Sequence, residues 1–104
     1  MRAAAALAGL ALAACGPQAL ATDVTRAAAR SVVANALGVQ YARAEADLAA
    51  TCLMQAATDA QAAALARDLG VRPGSVTMAN VRGLAAHPAA QACVAAHGLP
   101  PVAA

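Results

Sequence analysis

Residues 65–84 read LARDLGVRPGSVTMANVRGL, and the fold follows from how this stretch divides. Leu65 to Leu69 carries helix formers up to Gly70, and glycine ends helices because it enters the left-handed region without strain. Val71-Arg72-Pro73-Gly74 is a turn, since Pro and Gly interrupt regular structure and Pro drives its predecessor out of helical geometry. Ser75 then offers a hydroxyl to cap a helix running to about Ala86. Toward the C-terminus, His87-Pro88 breaks that helix and opens another, because Pro fits the first helical position; Gly98 closes it. Toward the N-terminus, Thr58-Asp59-Ala60-Gln61 has the residue types of a capping box and starts the helix that Gly70 ends. An earlier helix over about 43–57 places Leu48, Cys52 and Ala56 on one stripe, while residues 39–43 also fit an extended segment. The first helix is expected over 23–37, with Asp23 at its start, Val24, Val33 and Leu37 on its apolar side, and Gly38 as its stop. No period-two alternation survives, so the expectation is all-α: a small bundle of about four to five short helices.

The chain opens MRAAAALAGLALAAC. Arg2 precedes a small, apolar run from Ala3 to Ala14. About a dozen helical residues span roughly 18 Å, short of the ~30 Å hydrocarbon core of a bilayer. A charged start, a brief apolar stretch and small residues before a cut site describe an export signal, not a membrane span. Leu12-Ala13-Ala14-Cys15 resembles the lipobox of bacterial lipoproteins. That resemblance implies diacylglycerol on the Cys15 thiol, cleavage after Ala14, and acylation of the new amino group. Two or three acyl chains attach a protein durably where one does not. Gly16, rather than Asp, follows the cysteine; by the sorting pattern of Gram-negative lipoproteins this implies the inner leaflet of the outer membrane, facing the periplasm. The Ala- and Arg-rich, Lys-free composition suits such a source. The expected organisation is a signal peptide at 1–14, a lipidated tether at 15–22, a helical domain at 23–99 and a tail at 100–104. An ordinary secreted protein and an Ala-rich cytosolic start are the alternatives.

With Cys15 assigned to lipid, Cys52 and Cys93 remain, and an even pair in an oxidising compartment reads as one disulfide. Closing a loop of about 40 residues is worth roughly 4 kcal/mol in loop-closure entropy. Such a staple suits this domain. Hydrophobic content is 62%, but much of it is alanine, which overstates the bulky core; Tyr41 is the lone aromatic. A metal site is the rival reading, drawing on Cys52, His87, Cys93 and His97. Cys93 and His97 stand four apart on one helix face, although no CxxC or HxxxH pair accompanies them. Both histidines also have plain roles at helix ends, His97 before Gly98 and His87 before Pro88.

The quoted stretch also resembles, over residues 61–84, the helix-turn-helix of bacterial repressors. Ala66, Gly70, Val71 and Val76 fall where that motif has a small residue, a turn glycine and two core aliphatics, which would aim Thr77, Asn80 and Arg82 at base edges. Against it, Ala79 stands where a larger aliphatic belongs. Arg2 aside, six arginines face five acids, no electrostatic footprint for nucleic acid or for a polybasic membrane patch. An exported chain never meets the chromosome, so no nucleic-acid partner is expected.

From residue 22 onward the chain resembles a family of small alphaproteobacterial lipoproteins of unassigned function. The shared features are TRAAARSVV, Cys52-Leu53-Met54 leading into TDAQAAALARD, SVTMANVRGLAAHPAAQAC, and the closing GLP. Before Cys52 this chain is richer in alanine than the family pattern. Members often carry the label "succinate dehydrogenase", which these residues do not support: there is no GxGxxG for flavin and no cysteine cluster for iron–sulfur. No cofactor and no small-molecule substrate is therefore expected. Glu45 and Asp47, two apart, do not share a helix face and make a poor acid–base pair. No GxSxG nucleophile occurs. Arg26 and Arg30 read as a solvated stripe. The expectation is a non-catalytic envelope lipoprotein: a structural or protein-interaction accessory held to the membrane by its acyl chains, with an envelope protein as partner. Leu84 or Leu99 is the apolar contact expected on its surface.

Overall fold

The computed structural model describes residues 17–103; the leader, Cys15 and Gly16 lie outside them. The elements are α1 (Pro17–Leu37), α2 (Arg43–Gln55), α3 (Asp59–Ala66), α4 (Ser75–Ala85) and α5 (Pro88–Ala96), with no strand among the described residues. The fold is the all-α bundle expected, and the Sγ atoms of Cys52 and Cys93 are 2.07 Å apart, at disulfide distance. α1 lies along α2 and α3, α5 packs on α2, and α4 touches the other four helices. No helix among the described residues is long and apolar enough to cross a membrane.

Helix ends obey local chemistry. The Thr58 hydroxyl accepts from the Gln61 amide at 3.1 Å, and the Gln61 side chain accepts from Thr58 N–H at 2.8 Å, a complete capping box. Pro88 opens α5 behind His87 as N-cap. At the far end His97 is the C-cap, Gly98 turns to φ +71°, and two bonds form, Gly98 N–H to Ala95 at 2.9 Å and Leu99 N–H to Val94 at 3.2 Å. This is a Schellman motif, and it reverses the chain.

Three boundaries differ from expectation. α1 begins at Pro17, not at residue 23. Proline costs nothing at the first helical position, and the residues after it favour helix, so 17–22 extend the helix instead of forming a loose tether. α3 ends at Ala66 and the chain leaves through tighter turns to Gly70 at φ +80°. Ser75 is the first residue of α4, not its cap; Gly74 holds the cap position and no side chain bonds there.

The buried stripes also differ. α1 buries Ala29, Val32, Val33, Ala36 and Leu37 at successive three- and four-residue steps, while Val24 stays 62% exposed because it lies on the helix face opposite that stripe, although Arg26 in the same turn reaches the α2–α3 corner. α2 buries Ala46, Ala49, Ala50 and Leu53 with Cys52, and the expected stripe member Leu48 points outward. Alanine supplies more core positions than any other residue type. The alanines are thus the core itself: small side chains let the helix backbones approach closely, and Leu53, Leu65, Leu84, Val33 and Val81 fill what remains.

Candidate functional site

Among the described residues, one group of potential ligand side chains converges. α5 carries Cys93 and His97 one turn apart, and α2 brings Cys52 against them, with 5.5 Å between the two cysteine Cα atoms. The two sulfurs and the nearer nitrogen of His97 lie within 4.8 Å of one another. Cys52 is fully buried, Cys93 is half-buried and His97 is exposed, so the cluster has one face in the core and one in solvent. His87, the fourth member of the sequence-derived set, does not join it. It caps the opposite end of α5, and ten residues of helix separate two side chains by about 15 Å.

A second constellation holds the C-terminal segment. The Gln40 side chain donates to Pro101 C=O at 2.7 Å and accepts from Ala103 N–H at 2.7 Å, as a neighbouring β-strand would. The Tyr41 hydroxyl donates to Pro100 C=O. Leu99 and Val102 pack on the core. Residues 100–103 are therefore docked, not a free tail. Between them and α5 lies a pocket of about 320 Å³, lined chiefly by Leu53, Val94, Leu99 and Val102 with Gln91 at its edge. Burial raises the Tyr41 phenol above its usual 10.0, the Gln40 hydrogen bond opposes the rise, and the Glu45 carboxylate adds to it.

The repressor-like stretch takes a different register from the one its sequence suggests. Val71 and Val76, assigned to the core, are 60% and 72% exposed. Thr77, assigned to base edges, is buried, and its hydroxyl donates to the Asp68 carboxylate at 2.7 Å. That bond ties the α3–α4 connection to the first turn of α4 and removes Thr77 from any groove-facing surface. Leu84 is 1% exposed and Leu99 is packed against the core, so neither is the free contact expected of it. Besides Leu20, Val24 and Leu48 on α1 and α2, the exposed aliphatics among the described residues are Val39, Leu69, Val71 and Val76; Val39 and Val71 border an open groove floored by Ala36 and Met78.

Arg26, expected with Arg30 in a solvated stripe, instead bridges helices. Its guanidinium spans the α2–α3 corner, donating to Ala57 C=O at 2.8 Å, to Met54 C=O at 3.3 Å and to Asp59 at 3.2 Å. Both carbonyls lie at the C-terminal end of α2, where a cation is favoured; Met54 C=O also accepts from Ala57 N–H at 3.2 Å. Nothing local announces this, because its partners lie about thirty residues away; Arg30, one turn on, is solvated as expected. Comparison of the chain with known family models, with curated proteins and with solved structures finds no match.

Proposed function

We propose that this protein is a non-catalytic lipoprotein of the bacterial envelope, a small stapled bundle tied to the inner leaflet of the outer membrane through acyl chains on Cys15. The observation that carries the reading is the division of its cysteines. Cys52 and Cys93 meet each other at the core, which leaves Cys15 alone behind Leu12-Ala13-Ala14 in lipobox-like surroundings. A disulfide joining two packed helices in so small a domain fits an oxidising, exported setting. The resemblance to small alphaproteobacterial lipoproteins points the same way.

The geometry adds a mechanical consequence. Only Gly16 separates Cys15 from α1, whose first residue is Pro17. Acyl chains there would hold a rigid helix, not a loose linker, at the lipid surface, and would raise the domain's effective concentration toward envelope proteins on that surface. The decisive measurement is palmitate labelling of cells expressing the full chain. Label should enter the protein, disappear in Cys15→Ala, and processing should stop under globomycin. A soluble, unprocessed polypeptide beginning at Met1 would overturn the proposal.

A further inference from the structure

We propose that the Cys52–Cys93 bond has a second role as the closed state of a metal site: on reduction, Cys52, Cys93 and His97 together bind one d10 cation, zinc(II) or copper(I). This goes beyond the envelope reading and does not depend on it.

The chemistry of the donor set comes first. Two thiolates and one imidazole select soft and borderline ions over magnesium or calcium, and a Cys₂His set leaves one coordination position open on a tetrahedral ion. The geometry is close to what such an ion requires. With Zn–S near 2.3 Å and Zn–N near 2.05 Å, tetrahedral angles put the sulfurs about 3.8 Å apart and each sulfur about 3.5 Å from the nitrogen. The ligand atoms already lie within 4.8 Å of one another. Parting the bonded sulfurs and drawing in the imidazole takes modest side-chain rotations and no helix movement. The ligands are also well placed to stay together. Cys93 and His97 are on one turn of α5, Cys52 is on the helix against which α5 packs, and the Schellman turn at Gly98 fixes the end of α5 that carries His97. The His97 imidazole makes no hydrogen bond or ion pair with any described residue, so its ring can turn toward the sulfurs, and its exposure gives an ion a way in.

While the sulfurs are bonded to each other they are not thiolates, and the site does not exist. Opening needs a dithiol reductant. Its first thiolate attacks the half-buried Cys93 sulfur, forming a mixed disulfide and releasing Cys52 as thiolate. Its second thiolate then displaces Cys93 and becomes the reductant's own disulfide, so two electrons pass to the protein. Metal binding displaces the remaining thiol protons to solvent. The protein would thus exchange a covalent staple for a coordinate one, with the same two helices held at the same place.

The test uses the full chain in detergent, carrying Cys15→Ser so that the third thiol takes no part. Zinc or copper(I) is titrated against a chromophoric chelator, with cobalt(II) as a spectroscopic substitute and circular dichroism in parallel. The reduced protein is expected to take up one equivalent of at least one of the two ions and to give sulfur-to-cobalt charge-transfer absorption, whereas the oxidised protein takes up none. His97→Ala should weaken binding about tenfold or more, and His87→Ala should leave it unchanged. The zinc and copper arms identify the ion. If reduction melts helix, metal should restore it in the parent and not in His97→Ala. No uptake of either ion by the reduced protein, equal uptake by the oxidised form, or equal affinity in the parent and His97→Ala, folded or unfolded, would overturn the proposal.

Discussion

Tyr41 and Arg26 each join parts of the chain that are far apart in sequence. Burial of Tyr41, whose hydroxyl donates to Pro100 C=O, raises its pKa above the unfolded value. A raised folded pKa means that the neutral phenol favours the fold. Its contribution is fully present below about pH 10 and is lost as pH rises through the higher folded value. Tyr41 is the only aromatic residue, so tyrosinate absorbance reports it alone. The expected titration midpoint is above 10.0 in the native protein and falls back toward that value in denaturant; equal midpoints would count against the docked segment. For Arg26 the decisive comparison is with its ion partner. Asp59 has a side chain 77% exposed, so its ion pair is screened and worth little. The two carbonyl bonds are partly buried, and hydrogen bonds from a charged donor are stronger. Urea unfolding should show Arg26→Ala losing about 2 kcal/mol and Asp59→Ala under ~0.5 kcal/mol.

Helices α2 to α5 are short, so their ends weigh heavily. Gly98 is held at φ +71° and Gly83 sits inside α4 in helical geometry, yet an added Cβ at either would meet nothing within 4 Å. The difference between them is purely conformational. Gly83→Ala should stabilise by roughly 0.5–1 kcal/mol, because alanine is the better helix former and the unfolded chain loses freedom. Gly98→Ala should destabilise by roughly 1–2 kcal/mol, because an L side chain resists left-handed geometry. It should also loosen the docked segment that the turn directs, read as a tyrosinate midpoint closer to 10.0. Thermal melts of the two variants should move in opposite directions. The capping box belongs to this scale too: Thr58→Ala should lower stability by about 1 kcal/mol.

Stability of the whole bundle rests on close helix contact and on one covalent link. Ala50, fully buried on α2, has no room for branches; Ala50→Leu should cost about 1–3 kcal/mol by forcing the helices apart, despite adding apolar surface. Cys52 and Cys93 are 41 positions apart. Reduction in the presence of a chelator should lower unfolding free energy by about 4 kcal/mol, measured as a shift of the urea midpoint. A domain of this size has little stability in reserve, so that loss is a large fraction of the total.

The all-α class, the capping box at Thr58, the α4–α5 break at His87-Pro88, the stop at Gly98 and the pairing of Cys52 with Cys93 were all legible in the sequence. Caps and breaks act within four residues of backbone, so the residues that make them are neighbours in the chain. The cysteine pairing followed from the lipobox resemblance, which sets Cys15 aside and leaves two, and so needed no geometry. What only the tertiary structure decided is which face each helix buries and what crosses between helices. An alanine-rich helix has nearly the same apolar character all round, so Leu48 outside and Ala49 inside is settled by where the neighbouring helices lie. The same holds for Thr77 turned inward, for Arg26 across the α2–α3 corner, for residues 100–103 on Gln40 and Tyr41, and for His97 rather than His87 beside the sulfurs. Each depends on segments brought together by packing, and no local pattern encodes that meeting.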